Sequence, residues 1–266
     1  MTLRQPPGPG RLRLEFLGTG GSFGTPVITC KCPVCTAPEA QDLRLRSSVL
    51  LEWGSSSVVI DTGPDFRAQC LRAGIRSLDA VWYTHEHADH TAGLDDLRPF
   101  SLPTHPLTIR GQQYVLDLLM RRHAYAFSLA ADPNGVSKPS LIPEAIAAPF
   151  QEAGQQVIPI PVKHGPFDVL GFRVGNLAYV TDVNFIPESS IELLQDLDVL
   201  VLSGLRPNPH PTHFHLDAAV EMAQRLRAKR TVLTHLTHDL SHRELAARLP
   251  AGIEAAWDGL RLETTL

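Results

Sequence analysis

The sequence lacks several features that mark large classes of proteins. Its 266 residues include four cysteines, and no apolar run approaches the roughly eighteen residues that span a membrane. We therefore predict neither a dense disulfide framework nor membrane association. The opening MTLRQPPGPG contains no apolar stretch of the kind that a secretory signal requires. We expect a cytoplasmic protein whose residues 1–10 form a flexible tail.

An excess of positive charge is also missing. The formal net charge at pH 7 is −4, with 24 lysines and arginines against 28 acidic residues. Contacts between basic side chains and phosphates dominate the affinity of proteins for nucleic acids. A long polyanion such as a nucleic acid is therefore a disfavoured partner, and a small ligand is expected.

Apolar residues are present in sufficient number for one large core. Hydrophobic residues make up 43% of the chain, and we predict a single domain over residues 11–266. Strand-like runs such as SVVIDTG and DVLVLSG alternate with segments of helical spacing at residues 112–127, 187–197, 216–228 and 241–249. The last of these begins with Ser241 and Glu244, which match a capping box. This order is typical of an α/β protein in which two sheets pack face to face beneath helices.

Polar residues of metal-binding type stand at or just after the ends of strand-like runs. They are Asp61 after VVI, His85 after AVWYT, His164 after IPIPVK, Asp182 after LAYVT, Ser203 after VLVL and His235 after TVLT. Because strand ends meet at the edge of a sheet, these separate segments can deliver their side chains to one place. Residues 130–154 are rich in proline and alanine and show no periodicity, so we predict a loop or lid there.

The densest group of such residues is HEHADH, residues 85–90. His85 and His87 are two residues apart, so in extended backbone both point to the same side and can bind one ion. Asp89 and His90 follow after a turn and can reach a second ion. Imidazole and carboxylate ligands suit zinc, and manganese also suits a site that binds phosphate. Two ions about 3.5 to 4 Å apart stabilise both the entering and the leaving oxygen of a displacement.

The sequence THEHADHTAGL resembles the His-x-His-x-Asp-His signature of the metallo-beta-lactamase superfamily, and further positions follow in the family's chain order. The resemblance implies a four-layer αββα metallo-beta-lactamase sandwich with a dinuclear metal site at one edge. It implies these ligands: His85, His87 and His164 for one divalent ion, Asp89, His90 and His235 for the other, and Asp182 as the bridge. Asp89 is also predicted to be catalytic. Asp61 would be the buried acid that orients the ligand loop.

A second metal-binding pattern is CKCPVC, which places Cys30, Cys32 and Cys35 within six residues. Thiols this close are poorly placed to pair with one another, and with a fourth ligand they make a closed, structural zinc site. His238 in THLTHDL is the candidate fourth ligand. A reactive or merely buried thiol cluster is the alternative interpretation.

This cysteine insertion, with the opening GTGGSFGTP and the later GLDDLRPF and HLTH, resembles the PhnP-type phosphodiesterases of the superfamily. The resemblance implies hydrolysis of a small, cyclic phosphodiester by a metal-bridging hydroxide. It places His213 near the open face of the metal pair, where a protonated imidazole can contact phosphate or assist the leaving oxygen. His215 is predicted to cap or line the following helix. The glycine-rich opening lacks the ending of a phosphate-binding loop, so tight turns explain it better.

The remaining candidates are assigned structural or surface roles. Cys70 lies on a helix-like apolar face and is predicted to pack in the core. Asp95 and Asp96 with Arg98 are predicted to make a local ion pair after the metal motif. Four histidines have no partner pattern and are predicted at the surface: His105, His123, His210 and His242.

Three other functions are compatible with this fold. A ribonuclease Z-like tRNA endonuclease shares the chemistry, but the acidic balance and the lack of a basic, glycine-rich arm in the sequence disfavour it. A lactone or thioester hydrolase stays open because a metal hydroxide also attacks carbonyl carbon. A non-catalytic binding protein of the pyrroloquinoline quinone pathway is disfavoured because all seven ligands are present. The oligomeric state is open, and a homodimer is compatible with the sequence.

Overall fold

The computed structural model describes residues 5–128 and 137–266. Its strands in chain order are β1 (Arg11–Gly18), β2 (Ser48–Trp53), β3 (Ser56–Ile60), β4 (Ala80–Trp82), β5 (Leu107–Gly111), β6 (Leu141–Ala145), β7 (Phe150–Glu152), β8 (Gln155–His164), β9 (Phe167–Val174), β10 (Leu177–Val180), β11 (Val199–Ser203), β12 (Arg230–Thr234), β13 (Ile253–Ala255) and β14 (Arg261–Thr265). Its α-helices are α1 (Pro33–Thr36), α2 (Phe66–Ala73), α3 (Ala88–Thr91), α4 (Gln113–Arg122), α5 (Glu188–Leu193), α6 (Leu216–Leu226) and α7 (His242–Arg248). Short 3₁₀ helices cover Ala40–Asp42, Leu94–Phe100 and Ala124–Phe127.

The strands form two seven-stranded sheets. The first has the order β14-β1-β2-β3-β4-β5-β6, and the second has the order β13-β12-β11-β10-β9-β8-β7. In the first sheet β3 to β6 run parallel, and in the second β10 to β13 run parallel. Parallel neighbours end at the same edge, so the residues that follow these strands are brought towards one another.

The inner faces of the two sheets pack on each other and form the central core. The ring of Trp82 on β4 lies 5.3 Å, centroid to centroid, from the ring of Phe172 on β9. Phe16 and Tyr179 are buried in the same cluster. Aromatic side chains of this size remove a large apolar area from water and so contribute strongly to holding the sheets together.

Helices cover the outer face of each sheet. Phe66 of α2 and Leu116 of α4 pack on the first sheet, and Cys70 is buried in that cluster, as predicted. Leu216 of α6 and Leu245 of α7 pack on the second sheet. The layers are therefore helix, sheet, sheet, helix, which confirms the predicted αββα sandwich.

The predicted helices correspond to observed ones, with shorter bounds. Helix α4 and the 3₁₀ helix Ala124–Phe127 share the predicted segment 112–127, and α5, α6 and α7 lie within the other three. The capping box at the start of α7 is present: the Glu244 N–H donates to Ser241 Oγ, and the Ser241 N–H donates to Glu244 Oε2. Among the described residues, no helix is long and apolar enough to cross a membrane.

Three residues at strand ends adopt a left-handed backbone. The φ angles of Asp61, Asp182 and His235 are +64°, +52° and +57°. This region is uncommon for residues other than glycine and costs on the order of 1–3 kcal/mol at each position. The chain therefore turns sharply after β3, β10 and β12, and each turn ends in a side chain that points into the shared edge.

The prediction of a loop or lid over residues 130–154 is wrong for its described part. Residues 141–145 form β6, which pairs with β5, and residues 150–152 form β7, which pairs with β8. The proline at position 143 concealed β6, because β6 is an edge strand and edge strands tolerate proline. Residues 130–136 of the predicted segment lie outside the described part of the chain.

The predicted tail is described from residue 5 onward. Residues 5, 6 and 8–10 are exposed and Pro7 is buried, and the backbone oxygen of Gln5 accepts a hydrogen bond from Arg13. The division into a tail and one domain stays a prediction.

Candidate metal centre

The HEHADH segment connects β4 to α3 and supplies four side chains to one edge of the sandwich. His85 is buried and follows β4 by three residues. His87 keeps an extended backbone at the position just before α3, while Asp89 and His90 lie within that short helix. The change from extended to helical backbone divides the four residues into two pairs, each of which joins its own group of ligands.

The first pair meets a histidine from the second sheet. Ligand atoms of His85, His87 and His164 all lie within 4.8 Å of one another. His164 is the last residue of β8, and its Nδ1 donates to the backbone oxygen of Thr212 at 2.8 Å. Because Nδ1 is engaged in this way, the Nε2 atom of His164 is the one available to an ion.

The second pair meets the residue that follows β12. Ligand atoms of Asp89, His90 and His235 also lie within 4.8 Å of one another. Asp182 lies against this group: its Oδ2 is 3.2 Å from His90 Nε2, and its Oδ1 is 3.2 Å from His235 Nε2. Asp182 also forms a group with His85 and His90, which links the two sets of ligands.

Asp61 lies behind the ligands and holds Thr84 and the ring of the ligand His90 in place. Its side chain is completely buried, and it accepts hydrogen bonds from the Thr84 N–H and hydroxyl at 2.8 Å. His90 Nδ1 lies 2.7 Å from Asp61 Oδ2 and donates to it, so His90 Nε2 faces the ligand group. Burial raises the pKa of Asp61, and the adjacent His90 acts against that rise.

The donor set fits divalent ions. His85 Nε2 is buried with no hydrogen-bond partner among the described residues, and the Nε2 atoms of His90 and His235 approach carboxylates without hydrogen-bond geometry. Burial, followed by the proximity of His90, holds the pKa of His85 well below its usual range, so its imidazole is neutral and able to bind a cation. Burial alone would raise the pKa of Asp182, but His235 and His90 hold it well below its usual range. His85 thus offers a neutral imidazole and Asp182 an ionised carboxylate, which are ligand types that zinc prefers. Burial lowers the pKa of His90, but Asp182, Asp89 and Asp61 together hold it well above its usual range, so His90 would release a proton when an ion binds.

The cysteine loop forms a separate cluster with His238. Ligand atoms of Cys30, Cys32, Cys35 and His238 lie within 4.8 Å of one another, and the thiols are free rather than paired in disulfides. His238 Nδ1 is 3.5 Å from Cys30 Sγ and 3.3 Å from Cys32 Sγ. Burial raises the pKa of Cys35 to about 11, which disfavours a thiolate unless a cation is bound. Three sulfurs and one imidazole nitrogen match a closed tetrahedral zinc site.

One short segment connects the two clusters. His235 and His238 are three residues apart, and the Thr237 carbonyl between them accepts a hydrogen bond from Arg44 Nη1 at 2.6 Å. The Arg44 side chain is fully buried and also pairs with Asp42 at 3.2 Å. The loop that carries the cysteines is therefore fastened to the segment that carries His235.

His213 lies beside the carboxylate that links the two ligand sets. Its ring is stacked on His235 with centroids 5.0 Å apart, and its Nδ1 is 3.7 Å from Asp182 Oδ1. Burial and the neighbouring His235 lower the pKa of His213 to about 3. With this low pKa His213 is neutral near pH 7 in the free protein, in contrast to the predicted protonated imidazole, and a neutral imidazole still offers one N–H.

His210 and His242 were predicted at the surface, and both predictions are wrong. Each is half-buried: the ring of His210 lies 4.9 Å from the ring of His213, and the ring of His242 packs edge-on against Trp257 at 5.5 Å. The sequence HPTH, residues 210–213, could have indicated this position of His210, because a turn there brings the rings of His210 and His213 to the same side. His105 is exposed, as predicted, whereas His123 is half-buried, so its predicted surface position is wrong as well.

The other sequence predictions near the site are located as follows. His215 occupies the N-cap position of α6, but its side chain makes no capping hydrogen bond. Asp95 and Arg98 form the expected ion pair at 2.5 Å. Ser203 lies at the end of β11 and its Oγ accepts from the Val183 N–H at 3.4 Å. In the glycine-rich opening, a Cβ on Gly21 would lie 3.3 Å from His235 Cε1, so close packing explains this glycine.

Comparison with known proteins agrees with this fold and site. The family model described as a beta-lactamase superfamily domain matches residues 56–236, which include HEHADH, Asp182 and His235. The chain belongs to the beta-lactamase superfamily. A crystal structure described as a new diphosphatase from the PhnP family superposes with a TM-score of 0.90 at 42% identity, covering 96% of this chain and 98% of that chain. The PhnP-type resemblance is thereby confirmed.

More distant matches differ in their functions. An octanoyltransferase from Porphyromonas gingivalis is 37% identical over 252 residues, which are 94% of this chain and 51% of that protein. The chain thus spans about half the length of this curated relative. A ribonuclease Z from Bradyrhizobium diazoefficiens is 29% identical over 60% of this chain and 48% of its own length. Zinc-bound PqqB from Methylobacterium extorquens shares the fold, with a TM-score of 0.74 at 20% identity over 94% of this chain and 99% of its own.

Proposed function

We propose that this protein is a metal-dependent phosphodiesterase that hydrolyses a small, cyclic phosphodiester. The observation that carries the proposal is the position of Asp182, which joins the ligand groups around His85 and His90 into one site. The cysteine cluster and the likeness to a PhnP-family diphosphatase support a phosphorus-containing substrate. We assign zinc to the cysteine cluster, and zinc or manganese to two sites in the histidine and aspartate group.

Each residue of the site would have its own role in such a reaction. His85, His87 and His164 would hold one ion, and Asp89, His90 and His235 the other, with Asp182 shared. Bound ions would supply an activated water and neutralise charge on the phosphate. Asp61 keeps the ring of His90 in place, and His213 donates its N–H towards the leaving oxygen. Because these groups are fixed before substrate arrives, little reorganisation is needed in the transition state.

A diphosphate is the second candidate substrate, and the similarity to a diphosphatase of the PhnP family favours it. Cleavage of a diphosphate and of a phosphodiester both displace an oxygen leaving group from phosphorus, so the same site serves either. A tRNA substrate is less well supported, because the net charge is −4 and the ribonuclease Z match covers 60% of the chain. A non-catalytic role of the PqqB type is less well supported, because the PqqB structure is 20% identical to this chain and the PhnP-family diphosphatase is 42% identical.

Metal analysis combined with a substrate panel tests the proposal. Protein purified without chelators is expected to hold about three metal ions per chain, with zinc at the cysteine cluster. It should hydrolyse bis(p-nitrophenyl) phosphate and cyclic phosphodiesters faster than a lactone or a thioester. Asp182→Asn protein, purified in the same way, reveals any contaminating activity. Turnover of the lactone or thioester with no cleavage of phosphodiesters or diphosphates would overturn the assignment.

Two further proposals concern the cellular location and the assembly state of the enzyme. We place it in the cytoplasm, where reduced thiols favour zinc over disulfides at the cysteine cluster. A homodimer is proposed as its assembly state, and sedimentation of the purified protein distinguishes it from a monomer.

A further inference from the structure

A cavity lies beside His213, between the histidine and aspartate ligands and the cysteine cluster. Its volume is about 310 Å³, and its lining includes Phe23, Arg206, His210, His213 and His238. His213 therefore belongs both to the cavity wall and to the group that contains Asp182. A pocket of this size accommodates a sugar ring or an aromatic ring.

The wall of the cavity combines an aromatic ring with a cation and a hydrogen-bond donor. Phe23 is 76% exposed, which is unusual for a ring that also lines a cavity, so its surface is available to another ring. Arg206 is held by two hydrogen bonds to carbonyls of its own loop, from Nε to Asn208 and from Nη2 to Pro209. These bonds to neutral carbonyls hold the positive charge of Arg206 at the cavity.

His210 adds a donor to the same wall. Its Nδ1 lies 3.3 Å from the Thr212 N–H, which donates to it. The neutral ring therefore carries its proton on Nε2. Asp239, at the exposed rim, accepts a hydrogen bond from the Thr237 hydroxyl. The polar part of the wall thus offers donors from Arg206 and His210 to an electronegative substituent of a bound ring.

We propose that this cavity binds the leaving group of the substrate, and that the leaving group carries a ring with an acceptor or anionic substituent. The inference rests on the proposed phosphoester hydrolysis. In that reaction the oxygen of a water molecule bonds to phosphorus, the bond from phosphorus to the leaving oxygen breaks, and the leaving oxygen takes up a proton that the water released. A residue that assists the leaving oxygen must lie next to the leaving group, and His213 lies in the cavity wall.

The opposite side of the metal group offers a matched control. Phe167 is 46% exposed, and its ring lies 5.9 Å from His87, whereas Phe23 is on the side of His213. In a linear phosphodiester whose leaving group lies by His213, the retained group extends away from that cavity, whereas in a cyclic phosphodiester both ester oxygens belong to the same organic group. Phe23→Ala and Phe167→Ala therefore remove exposed rings from opposite sides of one site.

Two pairs of substrates distinguish contacts with the leaving group from contacts with the retained group. The first pair keeps a methyl ester and changes the leaving group: methyl p-nitrophenyl phosphate against methyl trifluoroethyl phosphate. The second pair keeps p-nitrophenolate as leaving group and changes the retained group from methyl to phenyl. For each pair the ratio of kcat/KM is compared between wild type and variant, so that the intrinsic reactivity of the substrates cancels.

The first ratio is kcat/KM for the p-nitrophenyl substrate divided by kcat/KM for the trifluoroethyl substrate. Phe23→Ala and His210→Ala are expected to reduce this ratio about three- to tenfold, the range expected from a lost ring contact. Both variants should leave the second ratio, phenyl against methyl as the retained group, unchanged. Phe167→Ala should leave the first ratio unchanged. If Phe23→Ala lowers kcat/KM equally for both leaving groups, or changes neither value, the leaving-group assignment is overturned. The proposed phosphodiester hydrolysis is unaffected by that result. Absence of phosphodiester and diphosphate hydrolysis in the metal-loaded wild type would overturn the proposed function and this inference with it.

Discussion

At the scale of single residues, the site depends on groups that touch no substrate. Asp61 is completely buried, and it engages Thr84 and His90 rather than facing the ligand group. By fixing one nitrogen of His90 it determines which nitrogen is available to a metal ion. Loss of a support of this kind typically lowers metal affinity or activity about 10- to 100-fold.

The first prediction concerns Asp61→Asn. We expect metal affinity at the histidine and aspartate group to fall about 10- to 100-fold, because the amide supports the His90 ring less well than a carboxylate. Titration with a chelating competitor, followed by metal analysis, measures the change. Asp217→Asn, at an exposed position of α6, is the control and should bind metal as the wild type does. Unchanged metal affinity in Asp61→Asn would show that Asp61 does not support the ligand.

The second prediction separates His213 from the ligands. His213→Ala should keep its metal content and lose about 10²- to 10⁴-fold in kcat, the range expected for assistance by a positioned donor. His213→Gln retains an N–H donor and should lie between the two. Metal content and steady-state kinetics are measured on the same preparations. Loss of metal from His213→Ala would show that His213 is a ligand and that its assigned role is wrong.

At the scale of elements, the two metal-binding clusters are joined by a chain segment and a buried arginine. Arg44 donates to the Thr237 and Leu240 carbonyls and pairs with Asp42, and Asp42 accepts from the His242 N–H at the start of α7. The loop before β2, the segment after β12 and helix α7 are thus held together at one point. Because three elements depend on this point, a change there disturbs more than one of them.

The third prediction is that Arg44→Met loses about 3–5 kcal/mol in the free energy of unfolding, because Asp42 is left as an unpaired buried charge. Urea titration measures this loss, and metal analysis should show weaker zinc retention at the cysteine cluster. Arg225→Met breaks an exposed pair with Glu188 and should cost less than about 1 kcal/mol. Equal stability of the two variants would contradict the structural role of Arg44.

At the scale of the whole molecule, the site is closed by segments from both sheets. His85 follows β4 of the first sheet, and His164, Asp182 and His235 stand at the ends of β8, β10 and β12 of the second. Two ions bound by these residues, with Asp182 shared, would tie the sheets together at one edge. Binding to the folded chain alone therefore adds to the stability of the whole domain.

The fourth prediction follows from this linkage. A site saturated at 1,000 times its dissociation constant adds about 4 kcal/mol to the free energy of unfolding. Each kcal/mol corresponds to about 2–4 °C for domains near this size, so removing the ions should lower the melting temperature by roughly 8–16 °C per site. Calorimetry before and after chelation, with zinc added back as the control, measures the shift. A melting temperature insensitive to chelation would contradict metal binding at these sites.

The sequence by itself identified the groups that carry the chemistry. HEHADH, CKCPVC and the polar residues at strand ends are local patterns that can be recognised along the chain, and the spacing of His85 and His87 reflects the two-residue period of extended backbone. The helices were located for the same reason, because an amphipathic period of 3.6 residues can be counted along the chain. Strand β6 was not predicted, because Pro143 at its centre is unusual in a strand and interrupts the two-residue pattern.

Tertiary structure decided what depends on residues far apart in the chain. The charge state of His213 is set by burial and by His235, which is 22 residues away, and the half-buried position of His210 follows from the loop between β11 and α6. Arg44 became a link between two clusters because Thr237, 193 residues later, lies beside it. Desolvation and pairing act between neighbours in space, and the order of residues does not specify those neighbours until the sheets have packed.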